Sequence, residues 1–586
     1  MAIEINNNQE KPKKIEVPQM ENQVNPNVFK EKKKTKKWPI ILLVLIILIL
    51  VGGFVGYKIV FDTVSTEKFS KTHLVINNSD CLGVLKHDVF VEDGVTYIST
   101  ADMANFFDGE IYYDSKYNQV VTASDDELIA LPIDSKSIEI NSNKKNIKKP
   151  AIKKGENYFV PFSEIAEFFN AEVKYIADSN VVNITTNDKD LIKGTVNSSA
   201  TVKNASKLFS KASDKVEKGE EVTIASVDGE NDYYKVTTVR GKVGYLPKSA
   251  VDNVKVVKQA KTTTRPIDGK VVMFWDYFSE YASAPQRTGS IEGVNVVSPS
   301  FFFLQKEGNG NFYTNIEKGG EAYINWAHSQ GYKVWALMSN NSLKETTSTI
   351  LKDYKLREKL INGIIYVVSE YNLDGIDLDF ENVYKEDKDN YTKLIMELKP
   401  RLKTLGKTLT VDVTAPDGSD DWSLCYDRNK IAKIADYIIF MGYDEYGSSA
   451  NKAGTTSGYD WLIANLNKFM GQEGVPAEKL ILGLPFYTRV WTENGESLSS
   501  SAIDMNATEK RIPAGVEKKW LDDEKQYYIE YADGSKVYKM WIEDLESMKY
   551  KLELANSYNL AGVSFWEKDK ELDEVWQLIG QVLNDK

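Results

Sequence analysis

One segment decides the fold of this chain: Tyr371-Asn-Leu-Asp-Gly-Ile-Asp-Leu-Asp-Phe-Glu-Asn-Val383. Its second half alternates acidic and apolar residues, and a β-strand sends successive side chains to opposite faces. Asp377, Asp379 and Glu381 therefore share one face, with neighbours about 7 Å apart along the strand. An enclosed site cannot easily keep three such carboxylates ionised. At least one is expected to have a raised pKa and to hold a proton near neutral pH.

The alternation also has a simpler interpretation. An antiparallel strand with an acidic solvent face and an apolar core face, here Ile376, Leu378 and Phe380, shows the same pattern. Three motifs further along the chain separate the two interpretations. They are Ala435-Asp-Tyr-Ile-Ile-Phe-Met-Gly-Tyr-Asp444, Leu482-Gly-Leu-Pro-Phe-Tyr-Thr-Arg-Val-Trp491 and Ala561-Gly-Val-Ser-Phe-Trp566.

Together with Asp374-x-x-Asp377-x-Asp379-x-Glu381, these motifs resemble those of the family 18 glycoside hydrolases, the chitinase-like enzymes, in the family's order. The resemblance covers residues 265–586 and implies a TIM barrel with the acidic motif at the end of the fourth strand. Strand-like segments that alternate with helical stretches independently predict a (β/α)₈ barrel of the α/β class. They are Lys270–Phe274, Val294–Ser298, Lys333–Leu337, the acidic segment, Leu409–Val413, Tyr437–Met441, Leu480–Gly483 and Gly562–Trp566.

A small α+β insertion is predicted after the seventh strand. About fifty residues lie there, before the last helix, and include Trp520, Tyr527, Tyr528 and Tyr531. This segment could form one wall of the cleft. The site itself is expected at the C-terminal ends of the barrel strands.

The resemblance implies substrate-assisted retaining hydrolysis, in which the acetamido oxygen of the substrate's N-acetyl sugar replaces a protein nucleophile. Glu381 is then the acid that protonates the leaving oxygen and later activates water. Asp379 accepts the acetamido N–H and stabilises the oxazoline-like intermediate, while Asp377 shares a proton with Asp379. Tyr443 donates its hydroxyl to the acetamido oxygen.

Other residues of the matching motifs are candidates for substrate binding. Asp444 is expected near the sugar and Glu381, and Met441 and Trp566 are expected to form the apolar floor of the site. Further candidates for lining the subsites are Phe274, Trp335, Tyr487, Arg489 and Trp491. For inward aromatic residues the alternative is barrel core, because such side chains fill barrels of this kind.

One departure from the family bears on the substrate. Chitinases of the family usually carry Ser-x-Gly-Gly on strand three, whereas this chain has Trp335-Ala-Leu-Met-Ser-Asn-Asn341. This looks more like the branch that includes spore-cortex and cell-wall N-acetylglucosaminidases, so peptidoglycan is the expected substrate. The alternatives are a hydrolase of chitin or chito-oligosaccharides, a non-catalytic wall-binding protein, and a metal site on the acidic strand.

Composition excludes several other classes. The chain of 586 residues is too long for one ordinary core, and its net charge of -12 excludes a generally basic nucleic-acid binder. Its two cysteines, Cys81 and Cys425, fall in different predicted domains and are expected to be buried without a disulfide. None of its three histidines has a metal-ligand spacing, so neither a metal nor another cofactor is expected.

The N-terminus predicts a membrane protein. Residues 1–37 are polar and lysine-rich and are expected to be a disordered cytoplasmic tail. The apolar residues 38–60 are long enough to cross a bilayer, and the lysines before them favour a cytoplasmic N-terminus with the catalytic domain outside the cell. The alternative is a cleaved signal peptide, but neither an Ala-x-Ala-like site nor a lipidation cysteine follows.

Two smaller domains are predicted between the membrane segment and the barrel. Residues 71–190 contain a repeat, in which Ala104-Asn-Phe-Phe-Asp-Gly-Glu-Ile-Tyr-Tyr113 matches Ala166-Glu-Phe-Phe-Asn-Ala-Glu-Val-Lys-Tyr175. This two-repeat α+β segment resembles the stalk domain at the N-terminus of some copper amine oxidases, without implying copper. Residues 194–254, with short alternating segments, resemble a bacterial SH3-like barrel.

Overall fold

The computed structural model describes residues 38–64, 68–260 and 265–584. The predicted cytoplasmic tail, residues 1–37, lies outside the described residues, as does most of the short segment before the barrel at 261–264. The chain divides into two compact units, with the boundary between Thr63 and Val64.

The first unit contains one helix, Trp38–Phe61, of 24 residues. Its length and apolar composition are sufficient to cross a membrane. A signal sequence has the same two properties, so a membrane anchor and its orientation stay predictions. Near its C-terminal end, Lys58 forms an ion pair with Asp62.

The second unit contains the predicted barrel. Eight parallel strands form a closed ring, because the first strand pairs with both the second and the eighth. The strands are β1 Val271–Asp276, β2 Val296–Pro299, β3 Lys333–Ser339, β4 Gly375–Asp379, β5 Thr408–Val413, β6 Tyr437–Met441, β7 Leu480–Pro485 and β8 Gly562–Trp566. This confirms the predicted (β/α)₈ TIM barrel.

Helices cover the outer face of the ring and bury its outward side chains in the largest apolar core of the second unit. The principal helices are Glu321–Ser329, Lys344–Leu351, Tyr354–Glu370, Lys388–Thr404, Arg428–Ile434, Tyr459–Gly471, Leu545–Ser557 and Val575–Asn584. On β4 the outward residues are Ile376 and Leu378, while Asp377 points inward. The alternation in the sequence therefore reflects the two faces of a barrel strand, and the solvent-face interpretation is wrong.

Two antiparallel β segments are inserted between strands of the barrel. A hairpin, Phe302–Leu304 with Phe312–Thr314, follows β2 and pairs with β3. After β7 comes the predicted α+β insertion, which has one sheet and the short helix Met505–Arg511. Its strands are Tyr487–Asn494, Ser497–Asp504, Lys519–Leu521, Gln526–Asp533 and Lys536–Ile542.

The predicted stalk domain repeats a strand followed by a short helix. Val95–Ser99 leads into the helix Thr100–Phe106, and Asn157–Pro161 leads into Phe162–Ile165. The two strands pair antiparallel with each other, which places the two copies side by side. Further strands are His73–Ile76, Ser79–Asp80, Phe90–Glu92, Tyr112–Asp114, Gln119–Ala123, Leu128–Pro132, Ser137–Ile140, Asn143–Asn146, Ile152–Lys154, Ala171–Ile176 and Val181–Thr186.

The next segment is all-β, as expected. Its strands form one antiparallel sheet around a small valine- and isoleucine-rich core. They are Leu191–Val196, Ala200–Lys203, Ala212–Val216, Glu221–Ile224, Tyr233–Thr237, Val243–Pro247 and Val251–Lys258. Its relation to SH3-like domains stays a prediction.

The stalk domain packs directly on the outer helices of the barrel. Tyr112 donates a 2.6 Å hydrogen bond to Glu397 and accepts one of 2.8 Å from Arg357, and Arg357 and Glu397 form a buried ion pair. An apolar cluster surrounds these groups and joins Val121, Leu128 and Ala130 of the stalk to Tyr354 and Met396 of the barrel. The stalk is therefore part of one compact unit with the barrel.

Candidate active site

The candidate site lies where the C-terminal ends of β4, β5, β6 and β8 meet. These strand ends bring the side chains of Asp377, Asp379, Asp412, Tyr443 and Trp566 to the inner face of the barrel. Glu381 follows β4 by two residues. The sequence predicted a site that contains Asp377, Asp379, Glu381, Tyr443 and Trp566, but it did not predict Asp412.

Asp377 is fully buried and accepts three hydrogen bonds. Its Oδ2 accepts from the indole Nε1 of Trp275 at 2.8 Å and from the hydroxyl of Ser298 at 2.9 Å. Its Oδ1 accepts from the hydroxyl of Thr410 at 2.5 Å. Burial raises the pKa of Asp377, and these three donors oppose that rise by stabilising the carboxylate.

Asp379 has a different environment. Its Oδ1 is buried without a hydrogen-bond partner among the described residues. Burial and the neighbouring charges of Glu381 and Asp377 raise the pKa of Asp379 well above its usual range. These influences favour the protonated form of Asp379, and its Oδ1 is available to a ligand.

Asp412, on β5, is a further inward carboxyl beside these two. It is 1% exposed, and its Oδ1 has no partner within the described part of the chain. Burial, followed by the charges of Asp377 and Asp379, raises its pKa well above the usual range. Thr408, Thr410 and Asp412 alternate with Leu409 and Val411 in the sequence, so the period of two could have identified this residue.

Glu381 is held through its backbone. The fully buried side chain of Asn340, just after β3, accepts from the Glu381 N–H at 3.1 Å and donates to the Glu381 carbonyl at 2.8 Å. Burial and the charge of Asp444 raise the pKa of Glu381 to about 7. Asn340 belongs to the segment that departs from the family pattern, and its role was not predicted.

Asp444 is fixed at the edge of the site. Its Oδ1 accepts from the Tyr487 hydroxyl at 2.7 Å and from Arg489 Nη2 at 2.8 Å. Its backbone has a φ of 57°, a left-handed conformation that Asp tolerates better than most residues. The three predicted residues are thus brought together, and Asp444 acts on Glu381 through its charge.

A group of aromatic rings lies beside the carboxyls. Trp566 lies 5.8 Å from Trp275, 6.3 Å from Tyr443 and 5.6 Å from Tyr277, measured between ring centroids. Burial raises the pKa of Tyr443 well above its usual range, so its hydroxyl stays protonated and can donate. Met441, at the end of β6, is buried.

Three predicted subsite residues lie elsewhere. Phe274 points outward from β1 and packs against Trp576, at 5.8 Å between ring centroids, because the neighbouring Trp275 takes the inward position. Trp335 points inward but lies deep in the barrel, stacked on Tyr437. Trp491 is fully buried, and its indole donates to the carbonyl of Gly454. These positions do not fit sugar contact, and the expectation for Phe274 in particular is corrected.

The geometry defines what the site can do chemically. It offers a carboxylic acid whose pKa lies near neutrality, a protonated carboxyl with a free oxygen, a phenol donor and an aromatic floor. A group with a pKa near 7 can donate and accept a proton in successive steps. The arrangement suits acid–base hydrolysis of a ligand that has a flat apolar face and an amide.

Comparisons with known proteins agree with this chemistry. Residues 270–571 match the description "Glycosyl hydrolases family 18", and residues 75–184 match "Copper amine oxidase N-terminal domain". The latter match confirms the predicted relationship of the stalk.

The curated relatives include a glycosylase, a cortical fragment-lytic enzyme and a chitinase. The uncharacterized glycosylase YvbX of Bacillus subtilis is 25% identical over 297 residues, which cover 49% of this chain and 84% of that protein. The cortical fragment-lytic enzyme of Bacillus anthracis is 22% identical over 57% of this chain and 76% of its own length. Chitinase A1 of Niallia circulans is 26% identical over 46% of this chain and 42% of its own length.

A solved chitinase from Chromobacterium violaceum is 22% identical, with a TM-score of 0.48, and the alignment covers 54% of this chain and 100% of that one. The family description extends over slightly more than half of the chain and contains every strand of the barrel. The chain belongs to glycosyl hydrolases family 18 and is a glycoside hydrolase.

Proposed function

We propose that the barrel hydrolyses β-linked glycans that contain N-acetylglucosamine, by substrate-assisted retaining catalysis. The observation that carries this proposal is the pairing of Glu381, whose pKa is raised to about 7, with Asp379 two residues before it, whose buried Oδ1 has no hydrogen-bond partner among the described residues. The first can serve as acid and base, and the second can hold the amide of an N-acetyl sugar. A protein nucleophile is then unnecessary, because the acetamido oxygen of the substrate acts as the nucleophile.

In the first step the acetamido oxygen attacks the anomeric carbon. The glycosidic C–O bond breaks, and Glu381 gives its proton to the leaving oxygen. Asp379 passes its proton to the neighbouring Asp377 as the substrate binds, accepts the acetamido N–H and, now ionised, balances the positive charge of the oxazoline-like intermediate. Tyr443 donates its hydroxyl to the acetamido oxygen before the attack.

In the second step Glu381 takes a proton from water. The water oxygen attacks the anomeric carbon, the oxazoline ring opens and the acetamido group is restored. Two inversions leave the anomeric configuration unchanged. Trp566 and Met441 support the sugar ring and the acetamido methyl group, and Asp444, held by Tyr487 and Arg489, contacts a sugar hydroxyl beside Glu381.

Peptidoglycan is the substrate that we favour. The segment Trp335–Asn341, on β3 and just after it, replaces the usual chitinase motif, and a cortical fragment-lytic enzyme is among the relatives. Chitin or a chito-oligosaccharide is the second candidate, favoured by the likeness to Chitinase A1.

The test uses purified peptidoglycan and chitin in parallel, with chemical identification of the new reducing ends. N-acetylglucosamine at the new reducing end of peptidoglycan, with little release from chitin, supports the first candidate. Preferential release from chitin favours the second. Products from neither glycan would show a wall-binding protein without activity, and loss of activity in a chelator would show a metal site.

We further propose that Trp38–Phe61 anchors the enzyme in the cell membrane as a single span. Residues 1–37 would be cytoplasmic, and the stalk, the SH3-like segment and the barrel would lie outside the cell, where the stalk serves as a spacer. Protease added to intact cells should then remove the barrel and leave the N-terminal tail protected. A mature form in the medium that starts near residue 60 would contradict the anchor and indicate a cleaved signal.

A further inference from the structure

Asp412 is a buried carboxyl in the candidate site for which the proposed mechanism has no use. The register of β4 on β5 pairs Asp377 with Thr410 and Leu378 with Val411. The next position on each strand therefore brings Asp412 level with Asp379, and both side chains point into the barrel. Adjacent strands lie about 4.8 Å apart. Asp412 thus lies on the strand next to Asp377 and Asp379.

The hydrogen bonds of Asp377 indicate where the protons of this group lie. The indole N–H of Trp275 can only donate, and the hydroxyls of Ser298 and Thr410 are both within donating distance of the same carboxyl. A carboxyl that accepts from three donors is best satisfied as the anion. A proton shared with a neighbour of Asp377 should then reside on that neighbour.

Asp412 is such a neighbour. The charged or titratable groups that face it are Asp377 and Asp379 on β4, Glu381 after β4, Tyr443 after β6 and Tyr391 on the helix Lys388–Thr404. Each of these groups is either acidic or neutral. Besides burial and the nearby negative charges, a hydrogen bond with Asp377 favours the protonated form of Asp412. An ionised Asp412 would add a buried negative charge beside others, which is costly.

We propose that Asp412 is a positioning residue of the hydrolytic site, which stays protonated and donates a hydrogen bond to Asp377. Asp377 then keeps its orientation and is ionised before the reaction, so it can take the proton that Asp379 gives up as the intermediate forms and return it when the intermediate decays. This inference rests on the proposed function, and it assigns a fourth donor to Asp377. Asp412 does not touch the substrate in this scheme.

Two substitutions separate this role from the alternatives. Asp412→Asn keeps the shape and still presents an N–H donor to Asp377, whereas Asp412→Leu keeps the bulk and removes the donor. Thr408→Val, on the inward face of the same strand and two inward positions deeper, is the matched control for altering β5. All three are compared with the full chain for kcat, KM and the pH dependence of kcat/KM on the glycan that the wild type hydrolyses.

The Asn variant should retain kcat within about threefold and an unchanged pH profile. The Leu variant should lose at least about tenfold in kcat. Its KM should be nearly unchanged, because Asp412 does not contact the substrate. The acidic limb of its kcat/KM profile, where activity falls as the pH is lowered, should move to higher pH by roughly one to two units. This is the amount that one hydrogen bond to a charged group contributes. The limb moves in this direction because the loss of one hydrogen-bond donor raises the pKa of Asp377, so that this residue is neutralised at a higher pH.

Equal losses in the Asn and Leu variants would show that the negative charge of Asp412 is needed and would overturn the proposal. A Leu variant with a normal kcat and pH profile would show that Asp412 only fills space, which also overturns it.

A spectroscopic measurement tests the proposal without activity. With aspartate labelled by ¹³C at the carboxyl, the wild type should show a protonated carboxyl resonance at pH 7 that is absent in Asp412→Asn and present in Thr408→Val. Identical spectra of protonated carboxyls in the wild type and the Asn variant would contradict the proposal. If the wild type hydrolyses no glycan, the proposed function fails while this spectrum still decides the protonation of Asp412.

Discussion

Trp275 and Asp377 are joined inside the barrel by a hydrogen bond of 2.8 Å between the indole Nε1 and the carboxyl Oδ2. The same indole ring lies 5.8 Å from Trp566 and 6.2 Å from Tyr443, between centroids. One residue therefore supports both the buried carboxyl and the aromatic floor. Because the indole N–H can only donate, it stabilises the ionised form of Asp377.

Replacing this donor should make the enzyme more sensitive to acid. Trp275→Phe keeps an aromatic ring but removes the N–H, so the pKa of Asp377 rises and the residue is neutralised at a higher pH. The acidic limb of kcat/KM should move to higher pH, and activity at pH 5 should fall roughly tenfold or more relative to pH 7. Trp335→Phe, deeper in the same barrel, is the control and should leave the profile unchanged. Identical profiles for Trp275→Phe and the wild type would contradict this role.

The decline of activity at high pH should follow the deprotonation of Glu381. Its pKa is raised to about 7, and a general acid must be protonated, so kcat/KM should decline above about pH 7. Asp444→Asn removes the charge that contributes to this rise, so the limb should move to lower pH and the ratio of activity at pH 8 to that at pH 6 should fall roughly threefold. Glu445→Gln, at the next position, is the matched control. An unchanged limb in Asp444→Asn would show that Asp444 does not act on Glu381.

The contact between stalk and barrel should contribute stability rather than catalysis. Tyr112→Phe removes a 2.6 Å hydrogen bond to the buried Glu397 and one from Arg357, which are charged partners, so the free energy of unfolding should fall by about 1.5–3 kcal/mol. The kcat should stay within about twofold, because the contact is made by the outer face of the barrel. Tyr113→Phe, whose hydroxyl bonds the exposed Asn118, is the control. Denaturant titrations and initial rates together check both parts, and a large loss of kcat in Tyr112→Phe would show that the stalk supports the site.

A fragment of residues 265–586 should keep its activity per folded molecule. The residues of the candidate site all belong to this fragment, and so do both partners of the ion pair between Arg357 and Glu397. The fragment should nevertheless be less stable and more prone to association, because Tyr354 and Met396 lose their cover from the stalk. Comparison of kcat and of solution molecular mass with residues 68–586 checks this. A folded but inactive fragment would contradict it.

The sequence predicted the barrel because its strands are regular. Ile376 and Leu378 alternate with Asp377 and Asp379, so both faces of β4 could be assigned before the structure. The prediction was wrong on β1, where a strand thought to end at Phe274 continues to Asp276 and turns Trp275 inward. Alternation places Met273 and Trp275 on the inner face and Phe274 on the outer face, so the end of the strand nearest the site is Trp275 and Asp276 rather than Phe274.

Contacts between distant segments were less accessible to the sequence. Asn340 bonds Glu381 through its side chain, and a lone Asn after a strand gives no pattern to read. Asp412 does follow a pattern, because it alternates with Leu409 and Val411 on a predicted strand. The docking of Tyr112 on Glu397 joins residues 285 positions apart, and no local signal could have shown that the stalk and the barrel share a core.

The central claim is that Glu381 supplies the proton to the leaving oxygen while the substrate supplies the nucleophile. The most direct test is the turnover of Glu381→Gln on two substrates, the natural glycan and an N-acetylglucosamine aryl glycoside with a good leaving group. The account predicts a loss of roughly 10²–10⁴-fold on the natural glycan and a much smaller loss on the aryl glycoside, which needs no protonation. Near-normal turnover of the natural glycan by Glu381→Gln, or equal losses on both substrates, would contradict it.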